Sequence, residues 1–168
     1  MDWLPFWMVE GRDAVFVVST AAPDLPEVLA LDLLCLRAAD GEALDVGQHR
    51  QRLEQALAQS QWVVVRRDWV LVAYGYLWPL EDGSWFVGGL LVHPQYRTAP
   101  TIERLSLGLA ELIEQHAIGA IKSHVLHTNQ ASLRLHRRLG FVVEKSNELA
   151  VALIGEGATV RSRLGLGG

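Results

Sequence analysis

The spacing of apolar and polar positions divides the chain into short segments of two alternating periods. Residues 14–20 (AVFVVST) are rich in β-branched and aromatic side chains and predict a strand. After Pro23 and Pro26 the period lengthens. Glu27 to Ala39 carries the pattern of an amphipathic helix closed by Asp40-Gly41, and Val46 to Ser60 predicts a second helix, with Leu53 and Leu57 one turn apart. The strand period then returns. Gln61–Arg66, Trp69–Trp78 and Ser84–His93 predict an antiparallel meander, joined by Arg67-Asp68 and by the Glu81-Asp82-Gly83 turn. Thr101 to Ala117 predicts a helix with Leu105, Leu109 and Leu112 near one face and Gly119 beyond its end. Ala120–His127 predicts a strand, Asn129–Leu139 a short helix, and Phe141–Lys145 with Glu148–Ile154 a closing strand pair.

The resulting order, β-α-α-β-β-β-α-β-α-β-β, mixes both element types. It predicts an α/β fold: a mainly antiparallel, mixed, curved sheet flanked by about four helices. With 168 residues, half of them hydrophobic, the chain suits one core, placed over residues 14–154. Residues 1–13 form an aromatic leading segment (Trp3, Phe6, Trp7), and the Gly-rich residues 155–168 are expected to be a flexible tail.

Charge and composition narrow the function classes. A formal net charge of −4 argues against nucleic acid as a partner. Cys35 is the only cysteine, so no intrachain disulfide forms, and its apolar surroundings suit a structural thiol. The N-terminus lacks a basic start and is interrupted by Asp2, Pro5 and Glu10, unlike a signal peptide or membrane span, so the expectation is a cytoplasmic protein without a membrane partner. No metal is expected, because His124 and His127 have no Cys or carboxylate at ligand spacing. Four of the six Trp residues fall in the meander, where packing accounts for most of them.

The run NQASLRLHRRLGF, Asn129 to Phe141, carries the densest chemistry. Asn129 can cap a helix, Gly140-Phe141 ends one, and Ala131, Leu135 and Leu139 can share a buried face. His136 stands one position round from that face, while Arg134, Arg137 and Arg138 point elsewhere.

Together with LLVHPQYRTAPTIERLSLGLAELI (Leu90 to Ile113), this run resembles the GNAT N-acetyltransferase family, whose element order is similar across residues 14–154. The resemblance implies that the strand ending at Val92 splays from its neighbour. The main chain of Leu90, Leu91 and Val92 would then hold the pantetheine arm of acetyl-CoA. Gly88 and Gly89 would either admit a bulge or simply be accommodated in the strand. The pyrophosphate would be received by Arg97, Thr98, Ala99, Thr101 and Ile102 at a helix N-terminus. The family usually has glycines where Thr98, Pro100 and Ile102 stand. Pro100 lacks an N–H, and the other two add β-branched bulk.

His136 occupies the position where the family commonly has Tyr, which implies a proton donor to the departing thiolate; the alternative is ordinary helix surface. Asn129 would contact pantetheine or the attacking amine, or serve only as a cap. No general base stands out among Glu81, Asp82, His93, His124 and His127. The expected activity is acetyl transfer from acetyl-CoA to an amine of a small molecule or peptide. Two alternatives stay open: a binding or assembly module that does not use CoA, and a transferase taking a longer-chain or carrier-protein donor. Oligomeric state is left open between monomer and homodimer.

Overall fold

The computed structural model describes residues 14–36 and 43–165, so the aromatic segment 1–13 lies outside the described residues. Strand β1 (Phe16–Ser19) leads into helix α1 (Leu25–Cys35), where Glu27 accepts the Asp24 amide at 2.8 Å. Pro26 therefore sits inside the first turn, and the helix begins two residues before Glu27. Helix α2 (Val46–Gln59) is capped by Asp45, whose carboxylate accepts from the Gln48 amide. The meander consists of β2 (Gln61–Arg67), β3 (Val70–Pro79) and β4 (Trp85–Val92). Its first turn is Asp68-Trp69 rather than Arg67-Asp68. Both residues have positive φ, at 50° and 73°, which a two-residue hairpin with the right twist requires.

After a 3₁₀ turn (Pro94–Tyr96) come α3 (Ala99–Gln115), β5 (Ala120–Leu126), α4 (Gln130–Arg138), β6 (Val142–Ser146) and β7 (Ala150–Glu156). One seven-stranded sheet results, ordered β1-β2-β3-β4-β5-β7-β6, antiparallel throughout except between β4 and β5. Helices α1 and α2 cover one face through Val28, Leu31, Leu53 and Ala56, packed on Trp62, Val64 and Tyr74. The other face carries α3 through Leu105, Leu112 and Ile113, over Val63, Val72 and Ile121.

The expected flexible tail is not one. Gly155 and Glu156 complete β7, and Gly157–Gly165 form a helix, α5, which packs against α3. Two features hold it there. Gly157 donates to the Gly119 carbonyl at 2.9 Å, and a Cβ on Gly157 would lie 1.8 Å from the Ile118 carbonyl oxygen. Val160 and Leu164, one turn apart, are both buried. Only residues 166–168 of the predicted tail lie outside the described structure.

Candidate active site

The parallel pairing of β4 with β5 lasts for two residues, Trp85↔Ile121 and Phe86↔Lys122. Beyond Phe86 the strands diverge, and the β4 edge facing β5 has no ladder partner. One reason is a bulge: Tyr76 pairs with Gly89 and Leu77 with Val87, leaving Gly88 over. Both glycines are required by packing. A Cβ on Gly88 would come within 2.1 Å of the Trp78 ring, and one on Gly89 within 2.4 Å of the Tyr76 ring. The sequence left bulge and plain accommodation open; the register decides for the bulge.

A cavity of about 350 Å³ occupies the fork. Val87, Gly89, Leu90 and Val92 form its β4 wall, Ile102 and Leu105 the α3 wall, and Leu135, His136 and Leu139 the α4 wall. Val160 and Leu164 of α5 contribute as well, so the segment expected to be a tail helps build the site. Leu91 points the other way, into the core beneath α1 and α2, and can serve the cavity only through its main chain.

At the open end of the fork lies the start of α3. Thr98 is the N-cap, Ala99 and Pro100 follow in the first turn, and the Ile102 amide donates to the Thr98 carbonyl at 3.0 Å. Ile102 therefore offers no free amide to an anion; its side chain is exposed and lines the cavity. Thr101 is fully buried, with its hydroxyl 3.4 Å from that of Thr98. Arg97 Nε donates to the Val92 carbonyl at 3.2 Å, and no carboxylate pairs with its guanidinium among the described residues. Arg104 is engaged elsewhere, donating to the Pro100 carbonyl and lying 4.1 Å over the Phe16 ring. An unpaired cation thus immediately precedes the N-terminus of a helix whose Ile102 lines the cavity, an arrangement that suits a phosphate.

Asn129 is the N-cap of α4, its Oδ1 accepting from the Ser132 amide at 3.1 Å. The helix presents a different face from the one predicted: Ala131 is exposed, and His136 is its buried residue. Because Nδ1 lies 2.7 Å from the Ser132 carbonyl oxygen, which only accepts, the ring proton belongs on Nδ1. Nε2 then accepts from the Ser123 hydroxyl at 2.9 Å. Burial lowers the His136 pKa, and the Ser132 carbonyl offsets part of this. His136 therefore lines the cavity with both nitrogens engaged. Its burial corrects the expectation of an exposed helix surface.

The polar groups expected near a base lie apart. Asp82, at the β3–β4 turn, accepts from Ser84 and pairs with Lys122 at 3.1 Å; these bonds hold its pKa low. His124 meets the Phe86 ring edge-on, and His127 Nε2 lies 2.7 Å from the Asn147 carbonyl.

Sequence reasoning missed Tyr76, a residue at the cavity whose ring covers Gly88 and Gly89 from the α1/α2 face. It also missed Asp32, a fully buried carboxylate that accepts from the Tyr74 hydroxyl and lies 2.6 Å from His49 Nε2. The available signal for Tyr76 was its position opposite a glycine pair in a hairpin of fixed register. Asp32 gave none, since an acid within an apolar helical run reads as a solvated face. Among the described residues no group of three or more His, Cys, Asp or Glu could hold a metal ion, and no helix is long and apolar enough to cross a membrane.

The acetyltransferase (GNAT) family profile matches residues 31–141, from within α1 to the residue before β6. The chain belongs to the GNAT acetyltransferase family. Solved GNAT-type structures share the fold at low identity. The PaiA N-acetyltransferase of Thermoplasma acidophilum, in complex with coenzyme A, superposes with a TM-score of 0.70 at 12% identity, covering 84% of this chain and 99% of that one. YncA of Salmonella typhimurium, solved with acetyl-CoA, gives 0.59 at 15% identity over 84% and 93%. The N-acetyltransferase PseH of Campylobacter jejuni gives 0.57 at 13% identity over 84% and 97%. No curated protein sequence matches the chain significantly.

Proposed function

We infer that this GNAT protein transfers an acetyl group from acetyl-CoA to an amine by direct attack on the thioester. The observation that carries the reading is the fork after Phe86, where an apolar cavity runs along an unpaired strand edge to a helix N-terminus. Pantetheine is a chain of amides and methylenes. It can pair its amides with the free β4 edge while its methylenes fill the apolar walls. Arg97 and the first-turn amide of Ala99 would take the pyrophosphate, with Pro100 contributing no donor and Thr101 buried.

The attack needs no covalent enzyme intermediate. Nitrogen adds to the thioester carbon, charge develops on its oxygen, and collapse expels sulfur. The β4 amides at the bulge are the natural partners for that charge. The proton of the incoming amine passes to water. His136 supports the α4 wall through Ser132 and Ser123. The aromatic surface formed by Tyr76, Trp78 and Phe86 on the α1/α2 face is where the acceptor would approach.

Titration calorimetry with acetyl-CoA tests the reading. Saturable 1:1 binding is expected, weakened relative to a glycine-bearing loop. Absence of heat at millimolar ligand would sink it and favour a GNAT fold that binds without CoA. Carrier-bound acetyl turned over where acetyl-CoA is not would favour the carrier donor instead.

A further inference from the structure

Tyr76 has a hydroxyl with no use in the fold. Its ring stacks on Trp62 with centroids 4.3 Å apart and lies across the bulge, with Cε1 2.3 Å from a notional Cβ of Gly88 and the hydroxyl 3.1 Å from that of Gly89. Phenylalanine would make these contacts equally well. No described residue hydrogen-bonds the phenolic oxygen, although the neighbouring Tyr74 hydroxyl is committed to Asp32. The free hydroxyl thus belongs to a residue lining the cavity where β4 leaves its partner strand.

We propose that the Tyr76 hydroxyl is a catalytic hydrogen-bond donor to the thioester oxygen, completing an oxyanion site with the β4 main chain. The inference rests on the acetyl-CoA reading above. As the amine nitrogen forms its bond to carbon, the C=O π pair moves onto oxygen, and the phenol donates to that oxygen without giving up its proton. When the intermediate collapses, the pair returns to re-form C=O, the C–S bond breaks and sulfur leaves with its electrons. The phenol is suited to this. Burial, reinforced by the nearby Asp32 charge, pushes its pKa up to about 12, so it stays protonated through the working pH range. A fixed donor in an apolar cavity also needs little reorganisation. His136, which lines the same cavity from α4, has both nitrogens engaged.

The test uses the full-length protein and Tyr76→Phe with acetyl-CoA labelled with ¹³C at the carbonyl. Calorimetry first measures binding. Isotope-edited infrared spectra then report the bound thioester carbonyl. The wild-type band should lie at lower frequency than the Tyr76→Phe band, while Kd stays within about threefold. Turnover to hydroxylamine, followed by thiol release, should fall about 10²- to 10³-fold. The loss should be equal from pH 6 to 9, whereas loss of a titrating acid or base would give a pH-dependent defect. Coincident bands overturn the inference while leaving the functional reading intact. No acetyl-CoA binding by the wild type overturns both. The infrared comparison needs no acceptor and decides the matter alone.

Discussion

Replacing Arg97 with Ala removes a guanidinium that no carboxylate of the described residues pairs with, just before the first turn of α3. Its Nε is tethered to the Val92 carbonyl, which leaves the two terminal nitrogens to face a phosphate. A charge-assisted hydrogen-bond pair of this kind is worth about 1.5–3 kcal/mol. Arg97 is solvent-exposed, so screening places the expected loss near the lower end. Pro100 has already removed one backbone donor, so this cradle depends more on its cation than a glycine-bearing loop would. The CoA dissociation constant should therefore rise about 10- to 30-fold. Calorimetric titration with CoA and with acetyl-pantetheine, which lacks the nucleotide, isolates the effect. Arg97→Ala should weaken CoA and leave acetyl-pantetheine unchanged, while Arg97→Lys should recover part of the loss. Unchanged CoA affinity would refute the assignment of Arg97 to the pyrophosphate. Equal losses for both ligands would show that the substitution had disturbed the β4 edge instead.

The same geometry sets three further outcomes. Pro100→Gly restores a donor in the first turn of α3 and should tighten CoA about fivefold, whereas Ile102→Gly should give no such gain because its amide is already bonded to Thr98; calorimetry on both variants separates them. His136 is buried with its pKa below the usual value of about 6.5, so the unfolded chain binds its proton at higher pH than the folded one. Its neutral form therefore contributes fully above pH 6.5, and that contribution is lost as pH falls through 6.5 towards the folded pKa; the difference in Tm between wild type and His136→Gln should shrink from pH 7.5 to 5, and a constant difference would contradict it. Asp32→Ala strips the buried Tyr74 hydroxyl and His49 of their shared acceptor and should cost about 3 kcal/mol in urea denaturation; a loss below about 1 kcal/mol would mean water replaces the carboxylate.

Most of the architecture was legible because it is written in local periodicity. The meander, its second hairpin turn and the capped helix at Asn129 signal themselves within a few residues, while the first turn falls one residue later than expected. The errors arose where long-range packing decides. Gly155–Gly168 looks structureless by composition, yet Gly157 is a point of close approach to the Ile118 carbonyl, and Val160 and Leu164 anchor the helix beyond it in the core. Gly is depleted in helices for entropic reasons, a weak preference that tertiary contact overrides. The α4 face was misjudged for a related reason. His136 counts as polar in any pattern, but Ser123 and the Ser132 carbonyl satisfy both its nitrogens, so it can be buried.

The candidate site was legible as far as the backbone carries it. The resemblance assigned Val92, Arg97 and Thr98 to the cofactor; the structure sets them between the end of a strand and a helix N-terminus, and the fork appears where the resemblance implied it. Two side-chain properties were not accessible. The engagement of His136 depends on a serine thirteen residues away on another strand, and the overlay of Tyr76 on Gly88 and Gly89 depends on hairpin register.

The central claim is that the fork between β4 and β5 receives the pantetheine arm of acetyl-CoA. A crystal of the full chain soaked with acetyl-CoA tests it most directly. The account predicts pantetheine amides paired with β4 between Val87 and Val92, pyrophosphate at Arg97 to Thr101, and the thioester oxygen at Tyr76. Acetyl-CoA bound outside the fork, or a fork left empty at millimolar ligand, would contradict it.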